Sequence, residues 1–184
     1  MTAFVYTTAT SINGFIADDG NSLDWLFAAD DVDPGPMADF MQSVGVQVMG
    51  STTYEWLLGH ENLIEEPEKW GMFFGSMATR ILSSRELPLP EGADAQIIQG
   101  PVGDHIDHLI SCANGKDVWI VGGGDVAGQF LDSGHLDRIE LFVAPAFLRG
   151  GAPLLPRLVS SDCLRLVTVE RNGSFARLVY AVDR

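Results

Sequence analysis

The chain has 184 residues, enough for one domain with a sizeable core, and its 46% hydrophobic and 20% charged residues mark a globular protein rather than a disordered one. A net charge of −14 with only 11 basic residues disfavours nucleic acid and anionic membranes as partners, because both need clustered Lys and Arg. No apolar run approaches the roughly 20 residues of a membrane span, residues 1–10 lack the basic and apolar segments of a secretory signal, and Cys112 and Cys163 are too sparse for a disulfide framework or a metal knuckle. A reduced, cytoplasmic protein is expected.

Ala3 to Thr10 alternates loosely and predicts a strand. Ser11-Ile12-Asn13-Gly14 turns into a short apolar piece, Phe15-Ile16-Ala17, and Asp18-Asp19-Gly20-Asn21 is a turn cluster. Pro34-Gly35-Pro36 opens a short helix over 37–44, with Met37, Phe40, Met41 and Val44 on one face. A strand over 46–49 runs through Gly50-Ser51-Thr52-Thr53 into a helix at 54–58, followed by a helix at 70–77 and strands at 80–83 and 95–99. Residues 104–113 predict a helix, 118–121 a strand and 126–131 a helix. Three late strands follow, 138–144, 164–171 and 175–182, the last two joined in a hairpin by Asn172-Gly173. Strand and helix alternate through most of the length, which predicts a mostly parallel sheet covered on both faces, with an antiparallel C-terminal edge. Loops 18–36 and 59–70 carry no readable pattern.

The apolar run Val118 to Val121 ends in Gly122, Gly123 and Gly124, and a helical pattern follows at once through Val126, Ala127, Phe130 and Leu131. A strand, a turn without side chains and a helix N-terminus together make an anion site: bare N–H groups and the positive end of the helix dipole converge where a diphosphate can sit. A Cβ would block both the turn and the close approach of a ligand. Gly122-x-Gly124-x-x-Ala127 fits the loose G-x-G-x-x-G/A fingerprint, but a Rossmann unit opens its domain and wants an acid ending the next strand. Here several strand–helix units come first, and Glu140, at nearly the right distance, lies inside the strand 138–144. A diphosphate site outside the Rossmann order is the reading, and a tight turn packed by glycines is the alternative.

Met49-Gly50-Ser51-Thr52-Thr53-Tyr54 repeats the same physics, with hydroxyls at a helix start that can cap the helix or bind phosphate oxygens. Leu82-Ser83-Ser84-Arg85 ends a strand with two hydroxyls and a guanidinium, a composition that suits a ribose 2′-phosphate or else a solvent-facing turn. Asp24 beside Trp25 is either a local acid or a solvated loop charge. His60, His105, His108 and His135 lack the grouping of metal ligands, so no metal is expected. No G-x-S-x-G elbow is present, and the triple glycine lacks the Lys of a phosphate-transfer loop.

These segments, in this order, resemble the dihydrofolate reductase-like family, in the branch similar to the reductase (C-terminal) domain of the bifunctional riboflavin biosynthesis deaminase-reductase. Ser11-Ile12-Asn13-Gly14-Phe15-Ile16-Ala17 is similar to that branch's S-x-D-G-x-I-A entry, with Asn13 in place of Asp, and Met49-Gly50-Ser51-Thr52-Thr53-Tyr54-Glu55 is similar to its G-R-x-T-Y-E. Ile120-Val121-Gly122-Gly123-Gly124, and Phe142-Val143-Ala144-Pro145 leading into Gly150-Gly151-Ala152-Pro153-Leu154, complete a likeness spanning about 5–182. The resemblance implies a three-layer α/β/α fold over 1–184 and NADPH along one sheet edge. Ala9 and Ile16 would line the nicotinamide pocket. Gly122, Gly123, Gly124, Asp125 and Val126 would hold the diphosphate, with Gly50, Ser51, Thr52 and Thr53 opposite. Ser83, Ser84 and Arg85 would meet the 2′-phosphate, and Trp25 and Phe40 would wall the substrate side. The function implied is reduction of a small carbonyl, imine or riboflavin-precursor-like molecule; a non-catalytic nucleotide-binding protein is the rival, and a homodimer is a family-level expectation.

Two departures from the family pattern matter. Ser51 stands where the motif has an arginine on the 2′-phosphate, a contact worth about 1.5–3 kcal/mol, so NADH becomes possible beside NADPH, with Arg85 as the available substitute. The acid that a folate reductase places in the preceding helix falls here at Pro36 or Met37, with Asp39 turned away by helical geometry. No catalytic residue is assigned, and dihydrofolate is not the expected substrate.

Overall fold

Successive residues on the inner strands face opposite layers of helix, and this period-two segregation sets the architecture. The computed structural model describes residues 1–29 and 31–183. In chain order the elements are β1 (Phe4–Ser11), β2 (Phe15–Ala17), α1 (Asp24–Phe27), α2 (Gly35–Ser43), β3 (Val44–Gly50), α3 (Ser51–Glu61), α4 (Glu68–Phe74), β4 (Ala78–Leu82) and β5 (Ala95–Ile98). A 3₁₀ turn (Val102–His105) leads into α5 (Ile106–Ala113), then β6 (Asp117–Gly122), α6 (Gly124–Asp132), β7 (Arg138–Ala144), β8 (Ala152–Pro153), β9 (Leu164–Asn172) and β10 (Phe175–Val182).

The main sheet runs β5-β4-β3-β6-β1-β7-β10-β9, parallel from β5 to β7 and antiparallel at β7–β10 and β10–β9. β2 and β8 pair in a small side ladder. Val46 and Val48 of β3 and Val118 and Ile120 of β6 pack with Leu109 of α5 and Ala127 and Phe130 of α6. Their alternating neighbours serve the opposite layer, where Met49 meets Tyr54 and Leu58 of α3 and Trp70 of α4, and Trp119 meets Phe40 of α2. Burying a side chain such as Phe130, 0% exposed, stabilises the layer by roughly 1.5–3 kcal/mol. The result is the expected three-layer α/β/α arrangement with an antiparallel C-terminal edge.

Several details differ from the sequence reading. Asn172 and Phe175 pair directly, so the hairpin loop is Gly173–Ser174 rather than Asn172-Gly173, with Gly173 at φ 61°. Asn172 instead ends β9 as a buried residue: its side chain accepts from Asp33 N at 2.6 Å and donates to Asp33 O at 3.1 Å. The helix expected at 70–77 begins at Glu68 and stops at Phe74, where Gly75 turns to φ 58°. α1, the 3₁₀ turn and the two-residue β8 are too short to carry a periodic signal.

Candidate functional site

The register of the parallel strands brings the sequence motifs together. Met49 lies opposite Gly122, and Gly50 opposite Leu82, so segments 50–53, 82–85 and 122–126 all leave the same sheet edge. This is the carboxyl end of the strands, where open α/β sheets bind ligands. α3 and α6 both start here. Their N-caps, Gly50 and Gly123, make no side-chain cap bond, so the first-turn amides of both helices are available to an anion.

The two junctions touch. A Cβ built on Gly50 would stand 3.1 Å from Val126 Cγ2, and one on Gly122 3.5 Å from Thr53 Oγ1. Gly122 has φ 153° and the Gly122–Gly123 peptide is cis. Gly124 has no room for a side chain, because its Cβ would overlap the Pro153 and Leu154 carbonyl oxygens. The segment 152–157 therefore crosses the start of α6 as a strap in main-chain contact. Tyr6 reinforces it by donating its hydroxyl to Leu154 O at 2.9 Å, and burial pushes that phenol's pKa well up.

A cavity of about 650 Å³ opens beside the junctions, within the range of about 300–1,000 Å³ typical of small-molecule sites. Of the residues named from the sequence, Ile16, Thr52, Thr53, Gly122, Gly123, Gly124 and Asp125 line it. Gly50 and Val126 form the buried contact behind the turn, and Ser51 opens α3 away from the lining. The rest of the wall is largely apolar: Met49, Trp56, Leu57, Trp119, Val121 and Pro153.

Trp25 and Phe40 do not wall this cavity. Trp25 packs with Ala9 and Leu26 on Phe142, Ala144 and Phe175, and Phe40 is buried edge-on against Trp119 with ring centroids 5.7 Å apart. The cause is amphipathic packing: each aromatic is the apolar face of its own short helix and turns inward. Ala9 belongs to the same packed cluster rather than to the cavity lining.

The 82–85 segment is also arranged differently. Ser83 is buried and closes its own turn, accepting from Arg85 N and donating to Arg85 O, both at 3.0 Å, while Ser84 is exposed. The Arg85 guanidinium is gripped in bidentate fashion by Glu55 of α3 at 3.0 and 2.7 Å. That hydrogen bonding holds Glu55 below the usual carboxylate range and raises Arg85. Arg85 therefore meets a carboxylate of this chain where the sequence reading had it meet a phosphate.

Asp24 and Asp39 are exposed and outside the lining. Asp125 does line the cavity, but its carboxylate is bound by Gln129 Nε2 and by Arg157 Nη2, each at 3.0 Å, and these contacts lower its pKa. The histidines are scattered. His60 stacks on Trp56 at 4.5 Å, His105 meets Gln99 O, His108 accepts from Arg80 Nε, and His135 meets Ser133 Oγ. Sequence reasoning missed Trp56, Trp119 and Arg157. Helical spacing offered a clue to the first, since Thr52 and Trp56, like Thr53 and Leu57, are four apart and share a face.

Known proteins are similar to this chain in sequence and fold. Residues 108–175 match the family model described as RibD C-terminal domain. Over 172 residues the chain is 25% identical to the uncharacterized protein YwjB of Bacillus subtilis (strain 168), covering 94% of this chain and 93% of that one. The crystal structure of a protein from Shewanella sp. PV-4, provisionally assigned to riboflavin biosynthesis, superposes with a TM-score of 0.80 at 28% identity and covers 100% of both chains. Dihydrofolate reductase from Enterococcus faecalis, complexed with NADP(H), matches at a TM-score of 0.60 and 14% identity, over 99% of this chain and 97% of that one. The fold is dihydrofolate reductase-like. Within that class, the resemblance to the branch holding the riboflavin-pathway reductase domain holds in both sequence and structure.

Proposed function

We propose that the chain is an NAD(P)H-dependent reductase of a small carbonyl, imine or riboflavin-precursor-like molecule, and not of dihydrofolate. One observation carries the reading: two glycine-to-helix junctions, 50–53 and 122–126, lie side by side at the ends of β3 and β6 and open onto an apolar cavity. The turn suits a diphosphate at Gly122 and Gly123, where the main chain is bare and a built Cβ would meet only Thr53 Oγ1 at 3.5 Å and Ile16 Cδ1 at 3.8 Å, whereas Gly124 is required by the strap packed on it. The NADP(H) complex of the Enterococcus faecalis neighbour supports this choice of nucleotide.

A reduced nicotinamide, when bound, supplies a hydride. The residues of this chain bind, orient and exclude water. First-turn amides of α6, with Thr52 and Thr53 opposite, would hold the diphosphate, and Ile16, Met49, Trp56 and Trp119 would keep the reacting end dry. Among the described lining residues, Asp125 is the carboxylate, and it is already committed to Arg157 and Gln129. With Met37 packed into the core and Asp39 exposed, a proton would come from water or from the substrate's own hydroxyl. That suits a carbonyl or imine beside a hydroxyl better than a pterin.

The test is intrinsic tryptophan fluorescence titrated with NADPH and NADH in parallel, followed by nucleotide oxidation over a panel of small carbonyls, imines and pterins. Trp56 and Trp119, as cavity residues, are expected to carry the quenching, and Trp56→Phe to remove a large part of it. No response to either nucleotide at millimolar concentration refutes the reading. Tight binding without turnover anywhere in the panel would make the chain a nucleotide-binding protein instead.

A further inference from the structure

Asp125 stands in the first turn of α6 and lines the cavity, so a negative charge sits beside the helix N-terminus assigned to a diphosphate. Unmasked, that charge would repel an anionic ligand. Arg157 masks it: its Nη2 lies 3.0 Å from Asp125 Oδ1, and its Nε lies 2.7 Å from Asp132 Oδ2. Asp125, Gly128 and Asp132 recur three and seven apart and therefore share one face of α6. Gly128 is buried between the two acids, and a Cβ there would stand 2.8 Å from Arg157 Cζ, so the guanidinium lies in the trough left by the missing side chain. Arg157 also belongs to the strap that packs on Gly124 and accepts the Tyr6 hydroxyl, so it fastens that wall of the cavity at its far end.

We propose that Arg157 is a positioning residue for an anionic cofactor: it neutralises Asp125, so that a diphosphate meets the α6 N-terminus without a competing charge. The inference rests on the nucleotide reading above. Arg157 acts through Asp125, and its effect belongs to binding rather than to the reduction step. It also applies to NADPH and NADH alike, because both carry the diphosphate.

The experiment is a fluorescence titration of the wild-type protein, Arg157→Ala, Asp125→Asn and the double variant with each nucleotide, at low and high salt. Arg157→Ala should weaken both nucleotides about two- to fivefold, the range for a charge at a helix terminus, and the deficit should shrink at high salt. Asp125→Asn should restore affinity in the Arg157→Ala background, which a purely structural role for Arg157 would not allow. Should Arg157→Ala fail to fold, the single variant Asp125→Asn decides, because it is expected to bind both nucleotides more tightly than the wild type. Wild-type binding with no loss in Arg157→Ala, no rescue in the double variant, or weaker binding by Asp125→Asn overturns the inference and leaves the nucleotide reading standing. Absence of wild-type binding overturns both.

Discussion

Replacing Gly124 with alanine sets a helix gain against a main-chain collision, and the surroundings decide which wins. The gain is bounded: alanine exceeds glycine by at most about 1 kcal/mol in a helix, and less at its first residue. The collision is with the strap, since the new Cβ would lie 2.5 Å from Leu154 O, 2.9 Å from Leu154 C and nearer still to Pro153 O. Those atoms are not free to retreat. Phe15 pairs with Pro153 and Ala17 with Ala152, Leu154 N donates to Gly14 O at 2.9 Å, and the Tyr6 hydroxyl holds Leu154 O. Overpacking costs about 1–3 kcal/mol, and against held main-chain atoms the upper part of that range applies, about 2–3; less a helix gain of about 1, the net loss is about 1–2 kcal/mol, or roughly 2–8 °C in Tm for a chain of this length. Nucleotide affinity should fall with it, because the same residue shapes the turn. Gly128→Ala is the contrast four residues on: its Cβ meets the side chain of Arg157 rather than main chain, so its loss comes from displacing that guanidinium from Asp125 and Asp132 and is expected to be smaller than at Gly124. Urea unfolding with m-values compared between variants measures both. Gly124→Ala as stable as the wild type would refute the claim that the strap is fixed against α6.

Two other outcomes follow from the site and the core. Ser51→Arg, which restores the family's guanidinium at the start of α3, should raise the preference for NADPH over NADH about tenfold or more, the worth of a hydrogen bond to a charged group. Parallel titrations check it, and an unchanged ratio would show that the 2′-phosphate does not come near residue 51. Tyr54 is 0% exposed and donates to Pro88 O at 2.7 Å, and burial pushes its phenol up from 10.0 to about 12. The fold favours the neutral phenol, so this contribution is full below pH 10 and is lost as pH rises from 10 to 12, on the order of 2–3 kcal/mol in all. Tm measured between pH 9 and 12 should fall less steeply in Tyr54→Phe than in the wild type; equal slopes would place the alkaline sensitivity elsewhere.

What could be read from the sequence was local. Val46-Gln47-Val48-Met49 and the apolar run Val118 to Val121 announce strands, and Gly50 and Gly122 announce the junctions because a glycine, a strand end and a helix start lie within a few residues. Their adjacency followed from the parallel order of β3 and β6. The illegible parts depend on distant partners. Arg85 reads as a phosphate ligand or a turn residue, and the sequence carries no sign of Glu55, thirty positions earlier, which the fold brings to its fork. Arg157 carries no signal in the sequence, because its partners Asp125 and Asp132 lie 32 and 25 positions earlier. Asn172 reads as a turn residue until Asp33 takes its side chain. Trp25 packs in a cluster and Trp119 lines the cavity for the same reason: which face of a strand or short helix a ring occupies is settled by packing across the sheet.

The loss of an acid from α2 goes together with the way that helix is held. Met37, with Pro36 one of the two positions where the resemblance would put that acid, is partly buried and packs on the cluster of Val5, Phe40 and Trp119 and also on that of Phe142 and Phe175. A carboxylate there would lose hydration with no partner in place, a cost that a bound pterin repays only by pairing with it. Trp119, with its Nε1 donating to Thr7 O at 3.0 Å, offers the cavity an aromatic face and no free donor. Selection by such walls works by shape and by exclusion of charge. On the proposed reading, the nucleotide end of the site is specified by main-chain geometry at two glycine junctions, whereas the substrate end is specified by what it leaves out, an ionisable group beside the reacting carbon.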